Sequence, residues 1–107
     1  MLRKIYLIAT LVLTSSFAMA QTGTLKGVIT DAMSGESIPF ANIVIEKNGN
    51  QSGGTTTDFD GNYKIKPVEP GTYTIKATFV GYGTVEITGV IVSANKITFQ
   101  DVKLQQG

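Results

Sequence analysis

The stretch TTTDFDGNYKI, Thr55 to Ile65, sets two aspartates, a glycine and an asparagine between three threonines and the alternating Tyr63, Lys64 and Ile65. Two readings compete for it. A calcium loop flanked by helices begins D-x-[DN]-x-[DN]-G, and Asp58, Asp60 and Gly61 fall on its third, fifth and sixth positions. Such a loop would start at Thr56, where an aspartate ligand belongs, and end at Pro67, where a bidentate glutamate belongs. Neither ligand is there, and the alternation that follows is that of a strand. The stretch therefore reads as a hairpin turn. Asp58 bonds amides ahead of it in an Asx turn, Gly61 takes positive φ, and Tyr63 and Ile65 resume a sheet as core anchors.

Outward from this turn, apolar residues recur at every second position in short runs separated by Gly, Pro, Asn and Asp. Leu25, Gly27 and Ile29 share one side of the run Thr24 to Thr30. Ala41, Ile43 and Ile45 do the same in a run beginning at Phe40. Pro67 is expected to end the strand begun at Asn62, and Pro70-Gly71 suits the centre of a type II turn. Thr72 to Val80 then carries Tyr73, Ile75 and Phe79 inward as further core anchors, and Gly81 opens a corner. Thr84 to Val92 supplies one strand, or two broken at Gly89. In the last run, Ile97 and Phe99 are out of phase with Val102 and Leu104, which predicts a bulge near Gln100 and Asp101. About seven short strands at regular spacing indicate an antiparallel β-sandwich.

The chain has 107 residues, and the first 20 read as a secretory signal peptide. Arg3 and Lys4 precede the apolar IYLIATLVL, and Ala18-Met19-Ala20 forms an A-x-A site that places cleavage between Ala20 and Gln21. The apolar run is too short to span a bilayer, so no membrane insertion is expected after cleavage. Residues 21–107 then form one domain. It keeps seven lysines, no arginine and eight acids, a net charge of −1, which leaves no footprint for nucleic acid. Cysteine is absent, so stability rests on the apolar core.

Four ordered blocks run through these residues: GVITD at Gly27 to Asp31, SGESIPFANIVI at Ser34 to Ile45, TTTDFDGNYKI, and PGTYTIKATFVGY at Pro70 to Tyr82. Together they resemble the carboxypeptidase regulatory-like domain, a transthyretin-like (prealbumin-like) fold. The resemblance implies a seven-stranded antiparallel Greek-key sandwich. It also implies a place in the periplasm, or at the periplasmic face of the outer membrane, of a Gram-negative bacterium, where such domains precede the plug and barrel of TonB-dependent receptors. A receptor would continue beyond Gly107 into a TonB box, so the expectation is a stand-alone domain or a fragment of something longer.

No catalytic residue, cofactor site or metal site is expected. The transthyretin-like fold includes a hydrolase of 5-hydroxyisourate, whose site resembles a cluster of histidines, an arginine and a C-terminal tyrosine-containing motif; residues 21–107 have no histidine or arginine and end KLQQG. Zinc and thiol chemistry lack their ligands. The serines lie in loops with no lysine placed beside them by any motif. The isopeptide-forming collagen-adhesin repeats share the PGTYT phrase, but Ala77 stands where they carry a glutamate. The expectation is a non-catalytic module that docks a protein partner at the cell envelope, along the polar edge Gln51 to Thr57 or through Phe59, the one aromatic left at a loop tip. A carbohydrate-binding-like module contacting a glycan is the alternative. Tyr63 and Tyr73 share the inward phase, which leaves few rings for a sugar.

Overall fold

The computed structural model describes residues 21–107; the signal-peptide reading, including Ala20, concerns residues outside that span. Eight strands follow one another: β1 (Gly23–Asp31), β2 (Asn42–Lys47), β3 (Asn50–Thr56), β4 (Asn62–Val68), β5 (Gly71–Thr78), β6 (Val85–Val92), β7 (Ile97–Phe99) and β8 (Val102–Leu104). They form two sheets. One has the order β4-β1-β7 with β8 also on β1, and the other the order β3-β2-β5-β6. The inward alternation of both sheets meets in a single core, where Leu25, Ile29, Ile43, Ile45, Ile75 and Leu104 are fully buried. Tyr63, Ile65 and Tyr73 are buried with them.

The eighth strand arises because the last run divides in two. Lys26 lies opposite Phe99 and Ile29 opposite Val102, so no residue is inserted across the gap and the expected bulge at Gln100 and Asp101 is absent. The Gln100 N–H donates to the Lys26 carbonyl at 2.8 Å, and the Val28 N–H donates to Asp101 Oδ1 at 2.9 Å. The change of apolar phase has a different cause: Ile97 and Phe99 point out of the sandwich, 52% and 70% exposed. Both β7 and β8 run parallel to β1, so this sheet is mixed.

Other boundaries shift for local reasons. β4 continues through Pro67 to Val68, which an edge strand bonded only to β1 allows. Gly71 does not take positive φ, so Pro70-Gly71 is not a type II turn. The Tyr73 hydroxyl instead donates back to the Glu69 carbonyl at 2.6 Å, spanning Pro70 and Gly71. A Cβ on Gly71 would stand 3.0 Å from Lys47 Nζ, which lies 5.8 Å above the Tyr73 ring. β6 is one strand with an irregularity at Gly89, whose φ is 72°. β5 ends at Thr78, so Phe79 falls in the following turn and is only half-buried, its ring 5.9 Å from that of Tyr82. Gly81, with φ 86°, turns the chain there as the Tyr82 N–H donates to the Phe79 carbonyl at 3.1 Å. Phe40 likewise precedes its strand, at φ 58°.

Candidate functional site

The loop Asp58 to Gly61 joins β3 to β4, and these strands belong to different sheets, so it is a corner between layers and not a hairpin. Asp58 Oδ1 accepts the amides of Asp60 and Asn62, both at 2.9 Å. The Asp58 N–H donates to the Asn62 carbonyl, and the Gly61 N–H donates to that of Asp58. Gly61 has φ 78°, and a Cβ there would lie 2.9 Å from the Ile29 carbonyl oxygen. The Gly61 carbonyl accepts the Ile29 N–H at 2.9 Å, which fixes the corner to β1. Phe59 stands at its apex, 82% exposed.

Thr57 builds the other half. Its buried Oγ1 accepts the Ala41 N–H at 2.8 Å and donates to the Ile38 carbonyl at 2.7 Å. Its main chain bonds the Phe40 N–H and the Ala41 carbonyl at 3.1 and 2.9 Å. This latch holds Phe40 at positive φ, a conformation that costs a bulky residue free energy and is kept only where neighbours over-determine it. The result is an exposed aromatic pair: the Phe40 and Phe59 rings are 5.1 Å apart at 77°, edge to face. β2 begins where β5 ends, so the Val80 turn and the loop carrying Met33 reach the same end of the sandwich. Met33 and Val80 are 89% and 90% exposed.

At this end Asp31 closes the fold. Its Oδ1 accepts the amides of Met33 and Ser34 at 2.8 and 3.0 Å. Its Oδ2 accepts the Tyr82 hydroxyl at 2.6 Å and Gln106 Nε2 at 3.4 Å. These bonds, the Tyr82 hydroxyl foremost, hold the carboxyl at a pKa of about 2 and raise that of Tyr82.

The remaining residues singled out by sequence serve the scaffold. Tyr63 donates to the Gln100 carbonyl, and burial raises its pKa. Pro70 is exposed, and Gln21 is exposed with its side chain accepting Asn95 Nδ2 at 2.8 Å. β3 is an open edge, matching the polar edge singled out earlier. Sequence reasoning missed Phe40, Thr57 and Asp31. For Phe40 a signal was present: it shares the phase of Asn42 and Val44, opposite to the inward Ala41 and Ile43. Among the described residues no group of three or more His, Cys, Asp or Glu is placed to hold a metal ion. A cleft of about 440 Å³ brings Ser52 and Lys47 to one lining, but Ser52 Oγ bonds the Asn50 carbonyl.

The family model of the carboxypeptidase regulatory-like domain matches residues 24–105. The TonB-dependent receptor P3 of Formosa agariphila is 32% identical over 77 residues, a match that covers 72% of this chain and 7% of the receptor. A candidate carbohydrate-binding protein from Bacteroides uniformis superposes with TM-score 0.65 at 18% identity, over 78% of this chain and 41% of that one. A type II cohesin–X-dockerin complex from Acetivibrio cellulolyticus gives TM-score 0.61 at 32% identity, over 79% and 58%. The chain thus spans only a small part of the receptor and about two fifths to three fifths of these structures.

Proposed function

This chain belongs to the carboxypeptidase regulatory-like domain family, and from that premise we propose that it is an exported, non-catalytic docking module of the cell envelope. In this reading a signal peptide over residues 1–20 is cleaved between Ala20 and Gln21. The module then works at the periplasmic face of the outer membrane, as the likeness to a receptor suggests. Its partner is a protein bound at the Phe40–Phe59 end.

One observation carries this reading. Two large rings stand in solvent, one of them on a strained backbone, and neither serves the core. Aromatic side chains, Phe among them, are enriched at the cores of protein interfaces relative to the rest of the surface. The alternative, a glycan site, draws support from the fold of the Bacteroides uniformis protein. It fits the geometry less well, because rings at 77° do not form one flat platform for a sugar face.

The test replaces Phe59 with a photo-cross-linking residue in cells. A discrete protein adduct is expected, and it should disappear in a Phe40→Ala background that folds normally. Absence of any adduct, together with a glycan-array signal abolished by Phe59→Ala, would replace the protein reading with the glycan one. Amino-terminal sequencing of the exported chain should begin at Gln21.

A further inference from the structure

The outer faces of the two sheets differ in how they handle charge. On β3-β2-β5-β6 the lone outward lysine of the centre, Lys76, is bridged by Glu46 at 3.1 Å and Glu86 at 3.3 Å. Among the described residues these are the only ion pairs. On β4-β1-β7 one outward row runs across all three strands, Lys64, Lys26, Phe99. Beside it Thr24 lies opposite Ile97, Val28 opposite Asn62, and the exposed Lys66 sits on β4 where the register with β1 shifts. Lysines thus stand on the edge strand β4 and exposed apolar side chains on β7. Lys26 and Lys64 are direct cross-strand partners, an arrangement of like charges that destabilises a sheet pair. Asp101 stands at the far margin, its Oδ1 accepting the Val28 N–H. A groove of about 460 Å³ on this face is lined by Lys26, Lys64, Phe99 and Asp101, and by Asp58 and Asn62 where it meets the corner.

We propose that this face is a second docking surface, distinct from the Phe40–Phe59 end, and that it receives one acidic amphipathic α-helix of a protein partner. Charge names the sign of the occupant: it relieves the Lys26–Lys64 repulsion. The division of the face into a basic and an apolar half calls for an occupant divided in the same way, carboxylates along one flank and aliphatic side chains along the other. Size favours a single helix. Three strands at about 4.8 Å spacing present a strip roughly 10 Å wide, the diameter of one helix with its side chains.

The test measures binding of the full exported chain to a synthetic helix with glutamate on one flank and leucine on the other. A sequence-scrambled peptide of the same composition and phosphatidylglycerol vesicles serve as the other arms. Binding to the amphipathic helix alone is expected, weakening steeply with salt. It should fall at least tenfold in Lys26→Glu/Lys64→Glu and severalfold in Phe99→Ala. Asn50→Glu/Gln51→Glu on the far sheet and Phe40→Ala/Phe59→Ala should leave it unchanged. In the absence of peptide, Lys64→Glu alone should raise the urea midpoint, because a cross-strand like pair becomes an opposite one. Equal binding of the scrambled peptide, binding only to vesicles, or no binding to any probe would each overturn the proposal.

Discussion

Thr57 shows how much of the aromatic end depends on one hydroxyl. Thr57→Val keeps the shape but leaves the Ala41 N–H and the Ile38 carbonyl without that partner in a buried position. The expected loss is about 1–3 kcal/mol in urea denaturation, with Thr57→Ser retaining most of the stability. The sequence shows Thr57 only as the third of three like residues, since nothing in a local pattern marks a bond to a residue sixteen positions earlier. Asp31 was equally hidden, because its partners Tyr82 and Gln106 lie far along the chain. Its carboxyl is held at about 2 against an ordinary 3.8, so the folded state binds its proton less readily than the unfolded chain. The stabilisation is therefore complete above about pH 4 and fades as pH falls toward 2. Urea midpoints measured across that window should drop for the natural chain. Asp31→Asn should start lower and show a shallower decline.

At the scale of elements, two glycines with similar dihedral angles separate two kinds of constraint. Gly89, at φ 72°, has open space where a Cβ would go, and Gly61, at φ 78°, has the Ile29 carbonyl and the Ser37 Cβ at 2.9 Å. Gly89→Ala should cost only the left-handed conformation, about 1–2 kcal/mol. Gly61→Ala should cost distinctly more, and equal urea midpoints for the two variants would contradict the packing described at the corner. The strands themselves were well marked: Tyr73, Ile75 and Ala77 alternate without interruption and fall at the middle of a sheet. The turns were marked by residue type but not by destination. Asp58 and Gly61 announce a reversal, yet whether it returns to the same sheet or crosses to the other depends on the Gly61 carbonyl meeting Ile29 and on the Thr57 latch. In the last run the change of apolar phase suggests an inserted residue, whereas it marks a change from outward Ile97 and Phe99 to inward Val102 and Leu104 at constant register. Ile97 and Phe99 obey the period of the strand and break only the habit of polarity outside.

At the scale of the molecule, one core without disulfides supports, among the described residues, eight strands and two exposed apolar regions. Ile75, fully buried at the centre, should lose about 2–5 kcal/mol when replaced by Ala. Against the roughly 5–15 kcal/mol of a typical domain that is a large fraction, visible as a strongly lowered urea midpoint. Phe40→Ala/Phe59→Ala should shift that midpoint little, since both rings are in solvent. It would thus separate docking from folding. The parallel pairing of β1 with β7 and β8 has a mechanical consequence. The chain enters the sandwich at the start of β1 and leaves it after β8, at opposite ends of the same paired strands. A pull on the two exits acts along these strands and loads their hydrogen bonds together, in shear, where an antiparallel hairpin would open one bond at a time. A module tethered on both sides would therefore yield late under tension, and stretching single molecules should show one high-force rupture before the chain extends.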